Sequence, residues 1–180
     1  MKVDSNPIVD NRLYAFWYDG DNGNIYAVAM EQLYNREWLW NFFNKHKKDL
    51  GYFNVSDIEV AIERTIDDLD KIEDLFFDET KDLRQCFRNL SEKWNDPYFQ
   101  RSKLKLSHLS YIHYSSWVRF YAIEIEDGIF VLTGGTIKLT ENMQEREHTN
   151  KELKRLEECR DYLVNNGICD YAGFREFLCE

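Results

Sequence analysis

The stretch Trp117-Val118-Arg119-Phe120-Tyr121-Ala122-Ile123-Glu124-Ile125-Glu126-Asp127-Gly128-Ile129-Phe130-Val131-Leu132-Thr133-Gly134-Gly135-Thr136-Ile137-Lys138 decides the fold. It is rich in aromatic and β-branched residues at period two and is broken once, at Asp127-Gly128. That dipeptide suits a two-residue type I′ turn, whose central residues need positive φ. The pattern predicts a hairpin of two strands, over 111–126 and 129–139. The tight turn fixes its register, with Arg119 opposite Thr136, Trp117 opposite Lys138, Tyr121 opposite Gly134 and Ile123 opposite Leu132. Alternation then gathers Val118, Phe120, Ala122, Val131, Gly135 and Ile137 on a face to be packed by helices. Trp117, Arg119, Tyr121, Thr136 and Lys138 fall on the other face.

Upstream of the hairpin the period changes. Leu13 to Tyr18 is a short aromatic-rich strand, and the turn-forming run Asp19-Gly20-Asp21-Asn22-Gly23-Asn24 leads into a second strand or a helix at Ile25. The aspartates of that turn do not make a calcium loop, since Met30 stands where the twelfth-position glutamate belongs. Asn35 is an N-cap for a helix with Leu39, Phe42, Phe43, His46 and Leu50 on one face, ended by Gly51. Ser56 and Glu59 form a capping box for a long amphipathic helix over 57–77. Its apolar side carries Ile58, Ile62, Leu69, Ile72 and Phe76, and its acidic side Glu63, Asp67, Asp70, Glu73 and Asp74. Another helix is predicted over 81–94, ending before Asp96-Pro97, followed by a basic connector over 101–110.

Downstream, Thr149 and Glu152 cap a helix carrying Leu153, Leu156 and Leu163. Asn165-Asn166-Gly167 stops it, and Asp170 caps a last turn. The expectation is a single α+β domain over 1–180, with 1–12 loosely ordered: an antiparallel sheet, long N-terminal helices on one face, and a C-terminal helix.

Composition limits the functions open to such a chain. With 43% hydrophobic and 16% aromatic residues, its 180 residues contain enough apolar surface to offset the ordering entropy, which excludes a disordered chain. No apolar run is long enough for a membrane helix, and residues 1–7 show no signal-peptide pattern, so a cytoplasmic protein without a membrane partner is expected. Cys86, Cys159, Cys169 and Cys179 lack the spacing of a metal or redox motif and read as free thiols. The formal charge of −10 excludes duplex DNA as a partner held by counterion release alone. Most of that charge lies in the first hundred residues. Between 101 and 140, Arg101, Lys103, Lys105, Arg119 and Lys138 outnumber Glu124, Glu126 and Asp127, so a phosphate ligand would bind there.

Cations beside aromatic rings suit single-stranded RNA, because Arg and Lys hold a phosphate and rings stack on bases. In that reading Arg119 and Lys138 hold the phosphodiester, Trp117, Thr136 and Arg146 contact RNA, and His113, Tyr121 or His148 moves the proton. No metal or cofactor is called for. The bland alternative makes Trp117 and Tyr121 core residues and Arg119 and Lys138 solvated strand-end charges. Glu145-Arg146-Glu147-His148 lacks a second histidine at the spacing of a zinc site, and Thr133-Gly134-Gly135-Thr136-Ile137-Lys138 lacks the phosphate-loop spacing.

The order of elements is strand, two long helices, antiparallel strands and a terminal helix. With the runs Trp117 to Ile123, Gly134-Gly135-Thr136-Ile137-Lys138-Leu139-Thr140 and Met143-Gln144-Glu145-Arg146-Glu147, it resembles the RelE/HigB-like toxin superfamily, particularly its phage-derived branch. The resemblance implies a ribosome-dependent mRNA endonuclease restrained by a cognate antitoxin in a microbial cytoplasm, with Arg119 and Lys138 at the matching positions. The other expectation is a non-catalytic module of the same fold that docks a protein partner through the acidic helix or the aromatic sheet face.

Overall fold

The computed structural model describes residues 1–90, 96–126 and 128–179. Its strands are β1 (Lys2–Val3), β2 (Leu13–Trp17), β3 (Phe87–Asn89), β4 (Gln100–Leu104), β5 (Val118–Glu126) and β6 (Ile129–Ile137). They join in the order β1-β2-β6-β5-β4-β3. The helices are α1 (Ile25–Tyr34), α2 (Arg36–Lys45), α3 (Lys47–Leu50), α4 (Ile58–Phe77), α5 (Glu147–Asn165) and α6 (Tyr171–Cys179).

The α+β class holds, but the sheet is mixed, not purely antiparallel. Leu13, Tyr14 and Ala15 of β2 pair in parallel with Phe130, Val131 and Leu132 of β6. After β2 the chain crosses one face as helices and re-enters the sheet at its far edge. The antiparallel steps through β3, β4 and β5 then bring β6 back in the direction of β2. Leu13 to Phe16 is buried without alternation, as a strand covered on both faces must be. The first residues, expected to be loose, pair as β1 with Phe16 and Trp17.

Alternation along the strands sorts the core into two layers. Leu13, Ala15, Phe120, Ala122, Phe130 and Leu132 pack with Leu33, Leu39, Phe43, Ile62, Leu69 and Phe76 from α1, α2 and α4. Tyr14, Phe16, Tyr121, Ile123 and Val131 pack with Leu156, Leu163 and Phe174 from α5 and α6 on the opposite face. Burying a side chain of this size contributes roughly 1.5–3 kcal/mol, so both helical layers are required to close the sheet.

The hairpin register is as predicted from Val118↔Ile137 to Tyr121↔Gly134, and then shifts by one residue. Ala122 pairs with Leu132 and Ile123 with Val131, which leaves Thr133 as the extra residue of a bulge; the expected Ile123–Leu132 pair is not formed. A one-residue slip reverses every side chain beyond it, so Val131 faces α5 instead of joining Val118 and Phe120. At the turn Gly128 has φ +86°, a conformation suited to glycine, while Asp127 lies outside the described residues.

Other expectations shift with local chemistry. The strand predicted from residue 111 begins at Val118, because 111–117 is held as a loop by Tyr114 and Ser116. The helix over 81–94 is not formed across its described part. A 3₁₀ turn at Leu83–Gln85, with Asp82 accepting from the Arg84 N–H, is followed by β3, and 91–95 lie outside the described residues. The connector over 101–110 supplies all but the first residue of β4, with Ser102 and Leu104 buried. Asp57, not Ser56, caps α4 by accepting from the Glu59 N–H. Thr149 is no N-cap: its hydroxyl donates to the Met143 and Arg146 carbonyls, while the capping box belongs to Asn142 and Glu145 of the preceding 3₁₀ turn.

Candidate anion cleft

Alternate positions of β4 and β5, on the sheet face opposite Leu104 and Phe120, place cations in one cavity. Lys103 pairs across the sheet with Tyr121, and Arg119 lies two residues before Tyr121 on the same face. Lys105 follows the end of β4, and Lys138 follows the end of β6, where its backbone N–H donates to the Trp117 carbonyl. Arg119, Lys103, Lys105, Lys138 and His108 line a cavity of about 450 Å³ with Tyr121, closed on one side by the 141–144 turn and Leu153.

The two cations singled out from the sequence are held by backbone, not by acids. Arg119 is only 7% exposed, and its Nη1 donates to the carbonyls of Ser116 and Val118 at 2.8 and 2.7 Å. The Lys138 ammonium donates to the Thr140 carbonyl at 2.9 Å and to that of Glu141. Carbonyls orient a cation without cancelling its charge. Among the described residues, none of the four cations is in an ion pair.

The electrostatic cost appears in their basicity. Burial, followed by repulsion from Arg119 and Lys103, pushes the Lys138 ammonium down to about 8. Burial lowers Arg119 to about 10. Lys103 and Lys105 are lowered by burial and by Arg119. Uncompensated positive charge in a half-dry pocket favours an anion that restores neutrality.

His108 was not singled out from the sequence. Its Nδ1 lies 3.0 Å from the Cys86 carbonyl oxygen, which fixes Nδ1 as the protonated nitrogen and leaves Nε2 as an acceptor. Burial lowers its pKa, against that hydrogen bond and assisted by Arg88 and the two lysines, so the ring is neutral at pH 7. The signal for it lay in the sequence: Lys103-x-Lys105-x-x-His108 directly precedes the hairpin, but reading the segment as a connector hid its place in the sheet.

The remaining sequence-predicted site residues divide. Tyr121 lies in the cleft, 1% exposed, with a hydroxyl that has no hydrogen-bond partner among the described residues and a pKa raised by burial. Trp117 turns away from it. Its ring packs on Phe43 and Phe53 on the other face, and its Nε1 donates to Thr65 Oγ1 at 2.9 Å. The bulky indole belongs to the core because the chain enters β5 only at Val118. His113 is exposed in the preceding loop and does not line the cleft. Arg146 makes a two-pronged pair with Asp49 at 2.7 and 2.9 Å, joining α5 to α3. Thr136 and His148 line a separate cavity, with His148 Nε2 2.9 Å from the Ile137 carbonyl oxygen.

The acidic face of α4 is partly used inside the chain. Glu59 and Glu63 pair with Arg36, and Asp70 and Glu73 accept from the Tyr34 hydroxyl. Among the described residues, no group of three His, Cys, Asp or Glu side chains is placed to hold a metal, and no helix is long and apolar enough to cross a membrane. The chain matches no family model, no curated protein and no solved structure.

Proposed function

We propose that this chain is a ribonuclease of the RelE/HigB-like toxin kind, which holds an RNA phosphodiester in the cleft of Arg119, Lys138, Lys103 and Lys105. One observation carries the reading: Arg119 and Lys138 share a cavity, each tied to backbone carbonyls and, among the described residues, neither in an ion pair with a carboxylate. A phosphodiester supplies the missing negative charge and accepts hydrogen bonds in the geometry that guanidinium and ammonium groups offer.

The chemistry follows from the protonation states. Neutral His108 accepts the proton of the ribose 2′-hydroxyl through Nε2, and the freed oxygen attacks phosphorus. Arg119 and Lys103 stabilise the extra charge of the phosphorane. The bond to the 5′-oxygen breaks as that oxygen takes a proton from Lys138, whose lowered basicity suits it to donate near neutrality. The products are a 2′,3′-cyclic phosphate and a 5′-hydroxyl end, and the step needs no oxidant, reductant or metal. The exposed rim leaves room for flanking nucleotides, and a protein that covered the cleft would act as the antitoxin.

The test is RNA cleavage on translating ribosomes by the native chain, Arg119→Ala, Lys138→Ala and His108→Gln. Cutting by the native chain that falls at least a hundredfold in each variant, with cyclic phosphate at the new ends, is the expected result. Equal background cutting by all four chains overturns the reading.

A further inference from the structure

The cleft at the end of β4 holds more positive charge than one phosphate can balance. Its lining carries Lys103, Lys105, Arg119 and Lys138, against one carboxylate, that of Glu141. Glu141 is exposed at the rim, and its backbone carbonyl, not its carboxylate, receives the Lys138 ammonium. Glu145, in the same turn, directs its carboxylate to the Asn142 N–H at 2.6 Å. A phosphodiester bears a single negative charge, so one bound at Arg119 and Lys138 leaves the lining cationic.

Lys105 is the cation left over. The cleavage step set out above uses Arg119, Lys103, Lys138 and His108 and gives Lys105 no part. Leu104 pairs with Phe120, so the next residue, Lys105, stands beside Arg119 across the strands, two positions from Lys103 and its partner Tyr121. Its backbone stays extended, with φ −143° and ψ 123°, which keeps both lysines on the cleft side. Among the described residues the Lys105 ammonium has no hydrogen bond and no ion pair, although the side chain is half-buried. Burial, then Arg119, then Lys103 lower its pKa. Two positions of strand set the lysine backbones roughly 6.6 Å apart, a step comparable with that between neighbouring phosphates of an extended single strand.

We infer that the cleft is built for two successive phosphates of one strand, with Lys105 holding the neighbour of the phosphate that Arg119 and Lys138 hold. The inference rests on the phosphodiester reading of this cavity and narrows its substrate to strands with at least two internucleotide phosphates. A dinucleoside monophosphate fills the site by half. The second phosphate arrives already tethered to the first, so its contact is not offset by another loss of translational freedom. A third phosphate lies beyond the four cations and adds only further registers in which two can bind.

Competition at low salt against a labelled thymidine decamer, by thymidine oligomers with one, two and three internucleotide phosphates, tests the inference. Lacking a 2′-hydroxyl, none of these is cut. The native chain should take the two-phosphate oligomer about tenfold or more tighter than the one-phosphate oligomer, with about twofold or less gained at the third. In Lys105→Ala and Lys105→Gln the first gain should fall to about twofold, the factor that a choice of two registers gives any one-phosphate site. Lys151→Ala, which removes an equal charge from an exposed position outside this cleft, should keep the tenfold gain. Circular dichroism melts establish that each variant is folded. A first gain of only about twofold in the native chain, a tenfold gain that survives loss of Lys105, or no competition by any oligomer overturns the inference. RNA cutting on ribosomes without the gain overturns the inference and keeps the ribonuclease reading. The gain without RNA cutting supports the inference and overturns that reading.

Discussion

The Glu152 carboxylate occupies the space beside Gly134 that any side chain there would need: a Cβ on Gly134 would stand 1.6 Å from Glu152 Oε2. The glycine of the bulged strand and the acid of α5 are therefore a matched pair, and the absence of a side chain on β6 is what lets α5 settle onto the sheet. Gly134→Ala forces the carboxylate aside and should cost about 1–3 kcal/mol in chemical denaturation, the usual range for overpacking. Adding Glu152→Ala should recover part of that loss, so the double variant is more stable than the sum of the singles. Strict additivity would show that the two residues do not compete for space.

Glu152 also sets a pH signature. Burial raises its pKa from 4.5 to about 7. Between those values the folded chain keeps a proton that the unfolded chain has released, so stability falls as pH rises through the window. Glu152→Gln removes the cost. Its melting temperature should equal that of the native chain near pH 4, exceed it increasingly toward about pH 7, and hold a constant advantage above. A gain independent of pH would point to packing and not to charge.

Lys138 has the opposite sign. Its ammonium is pushed down to about 8 from 10.5. Below about 8 the folded chain bears the full cost of a buried, repelled cation. Between the two values the folded lysine is already neutral while the unfolded one still holds its proton, so stability rises with pH. Lys138→Met should therefore raise the melting temperature at pH 7 and lose that advantage as pH approaches 10.5. The same variant should shrink the stabilisation that inorganic phosphate gives the native chain, a stabilisation that itself weakens above about pH 8 as the ammonium discharges. Melting scans across pH, with and without phosphate, read both effects.

Trp117 serves the core. Trp117→Phe removes its hydrogen bond to Thr65 and part of a ring packed on Phe43 and Phe53. A loss of about 2 kcal/mol in denaturant unfolding is expected, the scale for a buried hydrogen bond plus ring volume. Phosphate affinity should be unchanged, since the indole lies on the far face of the sheet.

Much of this arrangement was legible in the sequence because it depends on local rules. The Asn35 cap, the amphipathic α4, the glycine turn and the register that sets Arg119 opposite Thr136 all follow from periodicity and turn chemistry. What escaped depends on distant contacts. The bulge at Thr133 leaves no mark beyond two following glycines, yet it turns Val131 to the other core. The parallel pairing of β2 with β6 is set by the path of the whole chain, and the apolar run from Leu13 to Tyr18 carries no mark of its direction in the sheet. β4 was hidden because Arg101, Lys103 and Lys105 read as a solvated connector, whereas Arg101 is anchored to Asp96 and Glu157 and the lysines turn into the cleft. His108 was missed with it. His113 was a candidate because it shares strand parity with Arg119 and His148 because it comes from the following helix; β5 begins only at Val118, and His148 lines the other cavity.

The cleft is tested most directly by fluorescence anisotropy of a labelled single-stranded RNA across a series of salt concentrations, comparing the native chain with Lys103→Ala/Lys138→Ala. Two lost phosphate contacts should weaken binding at low salt and reduce the slope of log affinity against log salt by about 1.4. Identical affinity and slope in the two chains would contradict the assignment of this cavity to an RNA phosphodiester.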